Sequence, residues 1–188
     1  MQPDCGMGLR TLFASVITLW LTTWPVDAQQ RASFSMGPGY AGDLKVGMRG
    51  DEVVALFGKQ RVREFNLYTE NPEPERALEV RLDDVNAPKP SLVVRFRSAA
   101  PGPTVLEETR VAGITVHDAR FRTADGLGIG STFREVSARH RVKVSYGEGS
   151  LGAIVDDLGM TFDFTMFYSV GRVPPTARAE SVWIWSIP

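Results

Sequence analysis

The stretch LKVGMRGDEVVAL, residues 44–56, returns without gaps 83 residues later as LGIGSTFREVSAR, residues 127–139. Leu44, Gly47, Glu52, Val53 and Ala55 recur as Leu127, Gly130, Glu135, Val136 and Ala138, and Val46 is answered by Ile129. A repeat of this kind bears on the whole architecture, because each copy is one supersecondary unit. Each copy reads as a short extended segment, a glycine and a brief helix. In the second copy Thr132 can cap the first turn while Glu135, three residues on, reaches back to it, which is a capping box. Arg49 stands at the corresponding place in the first copy. The helix faces are Val53 with Leu56 and Phe57, and Val136 with His140. Helices this short are not stable alone, so each must lay its apolar edge on something else.

That something is predicted to be β-structure, because the residues after each helix alternate with period two. Strands are expected near Val62–Thr69, Arg76–Leu82, Ser91–Arg97 and Glu107–Val116 after the first helix. After the second they are expected near Val142–Tyr146, Gly152–Val155, Met160–Phe164 and Ser181–Ile187. Pro72 with Pro74, Pro88 with Pro90, Pro101 with Pro103, and Pro174 with Pro175 mark the loops between them. The expected fold class is therefore α+β: two related units, 43–122 and 123–188, each a short helix packed on an antiparallel meander, with sheets able to join side by side. Residues 29–42 are polar, glycine-bearing and without periodicity, which predicts a flexible leader.

The pieces Val46, Gly47, Met48, Asp51, Glu52, Val53, Val54, Leu56, Phe57 and Gly58 resemble the helix-on-sheet domain of the outer-membrane assembly lipoproteins (SmpA/OmlA/BamE) and of β-lactamase inhibitory protein. The second unit contributes Thr123, Gly126, Gly130, Ser131, Glu135 and Val136, then Tyr146, Gly147, Leu158, Gly159, Phe162 and Phe164. The tandem arrangement resembles the inhibitory protein more closely. That resemblance implies two joined sheets with helices on one face and a broad open face that grips a partner protein. Arg141 departs from the pattern where Gly58 ends the first helix.

The chain opens with Arg10, an apolar run from Leu12 to Leu21, Pro25, and then Val26 and Ala28 at the minus-three and minus-one positions before Gln29. This is the charged, apolar, small-residue order of a secretory signal peptide over residues 1–28. The run is shorter than the ~20 apolar residues a spanning helix needs, and no stable membrane insertion is expected. The single cysteine, Cys5, precedes the apolar run, where it is badly placed for lipidation. After cleavage near Ala28 no cysteine is left for disulfides, thiolate metal sites or nucleophilic chemistry. Removing Arg10 from the 21 basic residues, and Asp4 and Asp27 from the 22 acidic ones, leaves 20 of each. A neutral balance gives no electrostatic reason to expect nucleic acid as a partner. The expected location is the periplasm or the extracellular space.

In the final strand Val182 and Ile184 point one way and Trp183 and Trp185 the other. Either the tryptophans form an exposed patch of the kind that anchors protein contacts, or they are core and the aliphatic pair faces out. Arg81, Arg95 and Arg97 project from strands of the first unit and suit carboxylates on a partner, or a solvated face paired with Glu64, Glu79 and neighbours. Trp183, Trp185, Arg81, Arg95 and Arg97 are thus the candidate binding residues. His117 beside Asp118, and His140, are the histidines an enzyme would use. The carboxylate pairs Asp83 with Asp84 and Asp156 with Asp157 read as turn formers. The serines lack a nucleophile-elbow context, and the glycines around Gly147 lack the helix and lysine of a phosphate-binding loop. Taken together the sequence predicts an exported, non-catalytic protein-binding or inhibitory module without metal or cofactor. Its partner would be another envelope or extracellular protein. The alternatives are an accessory structural subunit of a cell-envelope assembly, and a hydrolase using His117 or His140.

Overall fold

A glycine held at positive φ stands three residues ahead of each helix: Gly47, at 90°, before α1 (Gly50–Phe57), and Gly130, at 84°, before α2 (Phe133–Arg139). A side chain is strained in that region of backbone space, which is why glycine recurs at this point of the repeat. The residues between, Arg49 and Thr132, are N-caps of nearly identical backbone geometry, φ −76° and ψ 155° against φ −79° and ψ 155°. Thr132 completes its capping box, its hydroxyl accepting from the Glu135 N–H at 3.2 Å while its own N–H donates to the Glu135 carboxylate at 2.7 Å. The Arg49 N–H donates to Glu52 in the same way, at 2.8 Å.

The computed structural model describes residues 34–68, 75–97, 106, 109–147, 150–164 and 173–187. The signal peptide expected over residues 1–28 lies outside them, as do Pro72, Pro74, Pro101 and Pro103. Among the described residues no helix is long and apolar enough to cross a membrane.

Three two-residue strands, β1 (Met36–Gly37), β2 (Tyr40–Ala41) and β3 (Leu44–Lys45), form a small antiparallel sheet before α1. After α1 come β4 (Val62–Leu67), β5 (Glu75–Val80), β6 (Leu92–Arg97) and β7 (Arg110–Val116). After α2 come β8 (Lys143–Gly147), β9 (Ser150–Val155), β10 (Met160–Asp163) and β11 (Ser181–Ile184). These eight strands make one antiparallel sheet in the order β4-β5-β6-β7-β11-β10-β9-β8. The fold is α+β, with two α-helices, a large antiparallel sheet and a small one among the described residues.

Alternation along the strands puts one side of the large sheet into the core. Leu78, Val80, Leu92, Val94, Val116, Phe162, Val182 and Ile184 are fully buried, and Val53 of α1 and Val136 of α2 close over them. β7 keeps to this rule through a bulge. Arg95 pairs with Gly113 but Phe96 pairs with Val111, so Ala112 is an extra residue, and Val111 and Ile114 both reach the core.

Hydrogen bonds that hold the glycine corners are the same in both halves. Gly47 N–H donates to Val111 O at 2.8 Å and Gly130 N–H to Ala179 O at 2.7 Å. In return Val111 N–H donates to Met48 O at 2.8 Å and Ala179 N–H to Ser131 O at 2.9 Å. An arginine ties each corner further, Arg110 Nη1 to Gly47 O at 3.1 Å and Arg178 Nη1 to Gly130 O at 2.8 Å.

The expected flexible leader needs correction over residues 34–42. Met36 and Ala41 are core residues, and Met36 N–H and Arg122 N–H bond to Arg122 O and Phe34 O at 2.9 and 3.0 Å. Phe34 packs edge-on against Phe121 at 5.2 Å, beneath the Arg120 guanidinium. Strands of two residues are too short to show a period, so this layer left no pattern in the sequence.

Candidate functional site

The helices and β1–β3 occupy one side of the large sheet, and the site is built on the other. There the alternate residues of β11 and its neighbours emerge: Trp183 lies between Thr115 of β7 and Thr161 of β10. Val182 and Ile184 are 0% exposed whereas Trp183 is 40% exposed, so the aliphatic pair is core and the tryptophan faces outward. The Trp183 indole lies over Gly113, where an added Cβ would stand 2.6 Å from its Nε1. Gly113 is thus a site residue that the sequence reading passed over. The available signal was a glycine inside a strand pattern, which marks a bulge or a close approach.

Trp185 stacks obliquely beside Trp183, ring centres 5.2 Å apart at 46°. The Arg95 guanidinium sits 5.9 Å from the Trp183 ring centre, within cation–π range, and is steadied by Glu75 at 2.7 Å. Arg97, exposed at the end of β6, continues the same face two residues further on. The structure therefore brings together Trp183, Trp185 and Arg95, with Arg97 beyond them. Arg81 is not part of this group. It follows β5 at the far end of the face, bonded to Glu79 at 2.7 Å and to Ala87 O at 3.2 Å.

Both histidines have definite surroundings. His117, just past β7, donates its backbone N–H to Ser91 O at 2.9 Å, and beyond it Ser181 pairs with Asp163. A catalytic triad needs the imidazole between hydroxyl and carboxylate, whereas the Ser181 hydroxyl faces the Asp163 carboxylate directly, at 3.4 Å. Desolvation, with the nearby Glu180 charge, holds the Asp163 carboxyl above the usual range against the Ser181 hydrogen bond. Asp118, the expected partner of His117, is instead gripped by Arg120, which also reaches Asp83.

His140, at the end of α2, has carboxylates on both sides: Asp157 at 2.7 Å from Nδ1 and Asp125 at 2.9 Å from Nε2. Burial of Asp125 pushes its carboxyl up, but hydrogen bonds from Thr123 and His140 outweigh that and hold it below its usual value. Ionised carboxylates only accept, so contacts at both ring nitrogens favour the doubly protonated ring. Desolvation works against that charge, yet the bonds to Asp157 and Asp125 prevail and raise the His140 pKa. While it is protonated, the ring has no lone pair with which to take a proton or bind a metal. His140 is a charged clamp joining the turn at Asp125, the end of α2 and the 3-10 turn Asp156–Leu158. Asp156 meanwhile pairs with Lys143, and Asp84 accepts from Asn86 N–H at 2.9 Å within its own turn. Among the described residues no group of three or more metal-ligating side chains is assembled.

No protein-family model matches the chain, and no curated protein does. Among solved structures it is similar to the crystal structure of the uncharacterized protein YfeY from Escherichia coli. The likeness covers 82% of this chain and 98% of that one at 13% identity, with a TM-score of 0.48.

Proposed function

We propose that the protein is an exported, non-catalytic binding or inhibitory module made of two related helix-on-sheet units, 43–122 and 123–188, that grips another envelope or extracellular protein. The relatedness of the units is supported by the 83-residue repeat and by the paired hydrogen bonds at Gly47 and Gly130. The strand order supports it as well, since β4 to β7 and β8 to β11 run inward from the two edges and meet at their last strands.

The observation that carries the function is the pair Trp183 and Trp185 beside Arg95 on the sheet face turned away from the helices. Tryptophan and arginine are the residue types that dominate the energetics of protein contacts. Trp183 also lies at the seam between β7 and β11, so a partner seated there touches both halves at once. The test is affinity capture from envelope extract by the chain from Gln29, beside a Trp183→Ser, Trp185→Ser variant verified as folded by circular dichroism. A partner held by the native chain and released by the variant is the expected result. Capture that is indifferent to the substitutions would sink the proposal.

A further inference from the structure

At the β4 edge of the large sheet, away from the tryptophans, a cavity of about 330 Å³ opens between the 3-10 turn Lys59–Arg61, the start of β4 and the loop after β5. Its volume falls at the lower end of the ~300–1,000 Å³ typical of small-ligand sites. Arg61, Arg63 and Arg81 all line it, together with Gln60 and Asn86. Pairing of the chain forces this concentration of charge: Arg81 N–H donates to Arg61 O at 2.9 Å, which sets the two arginines opposite one another. Arg63 stands opposite Glu79. Like charges directly across a ladder repel, and Glu79 is already spent on Arg81 at 2.7 Å. Arg61 and Arg63 have no ion pair among the described residues.

The three guanidiniums differ in a useful way. Arg81 is nearly buried, its side chain 14% exposed, and its Nε and one Nη1 hydrogen are committed to Ala87 O and Glu79. That fixes the fork while leaving further N–H groups unspent. Arg61 and Arg63 are exposed and free to close over whatever enters. A fixed cation flanked by two exposed ones has the donor arrangement of an oxyanion site.

We propose that this cavity binds an oxyanion, a carboxylate or phosphate group, whose charge answers Arg61 and Arg63, the two lining arginines that have no ion pair among the described residues. The group is supplied either by a free small anion or by an acidic side chain of a protein docked on the sheet. The site shares no residue with the Trp183 and Trp185 surface, and it stands or falls separately from that surface.

Calorimetric titration of the purified protein at low salt with inorganic phosphate, citrate and a glutamate-rich peptide tests it. The substitutions Arg61→Gln and Arg63→Gln together, both at exposed positions, are expected to weaken binding roughly tenfold or more. The pair Arg139→Gln and Arg141→Gln removes the same charge elsewhere and is expected to leave binding near the native value. Binding of phosphate or citrate identifies a free anion as sufficient, whereas binding of the peptide alone assigns the site to acidic protein side chains. Equal loss in both double variants reduces the effect to net charge and overturns the site, as does absence of binding by all three probes. A Trp183→Ser, Trp185→Ser chain should titrate like the native protein, so failure of the tryptophan surface and failure of this site are told apart.

Discussion

In the first half of the molecule the helix ends with Phe57 and Gly58, the glycine at φ 82°. In the second half the position equivalent to Phe57 is His140, wedged between Asp125 and Asp157. The corners before the two helices agree almost bond for bond, yet the far ends of those helices use different chemistry. One end is apolar, and the other is an ion cluster. The sheet shows the same contrast. The arginine cavity belongs to the first half, the tryptophans to the last strand of the second, and the seam at Gly113 and Trp183 needs both. Backbone hydrogen bonds tolerate few substitutes, because a buried donor left without a partner is costly. Side chains around that skeleton are free to diverge, and function has somewhere to settle.

The largest test of this comparison is at the seam. Ile184 is fully buried and pairs with Ile114 across the join, so Ile184→Ala should cost about 3 kcal/mol. If the halves share one core, urea unfolding followed by tryptophan fluorescence and by far-ultraviolet circular dichroism will shift together as one transition. Two separate transitions would break the comparison into independent domains.

A smaller effect is expected at the corners. Arg110→Met and Arg178→Met each remove one guanidinium hydrogen bond to a glycine carbonyl, worth about 1 kcal/mol. Their losses in unfolding free energy should match. A large inequality would show that one half keeps the motif without depending on it.

The smallest effect separates the halves by pH. The His140 pKa is raised by its two carboxylates, so its contribution to stability is complete below the unfolded histidine value, near 6.5. That contribution is lost as pH rises through the folded value. Stability should therefore decline above about pH 6.5 in the native chain, and the decline should flatten in His140→Phe, which copies the residue of the first half. An NMR titration of the His140 ring that gives a lowered pKa would contradict the imidazolium reading directly.

How much of this was legible beforehand differs by element. The eight main strands all lie within a few residues of the places their alternation indicated, because a half-buried strand writes its burial into every second residue. The capping box at Thr132 was equally readable, since both partners lie within four residues. The layer over 34–45 was not, because its strands are two residues long. The Asp125, His140 and Asp157 cluster was half visible. His140 was placed on a partly buried face, but its partners lie 15 and 17 residues away, and no local pattern announces such a meeting.

From the sequence alone came the repeat, the α+β class, the glycine corners and the opposite directions of Trp183 and Ile184, all set by spacing within one segment. The tertiary structure decided which side of the last strand is core, that the two meanders join through β7 and β11 into one sheet, and that three arginines meet around one cavity. Those outcomes depend on strand register and order across the whole chain, where a shift of one residue would turn every side chain to the other face.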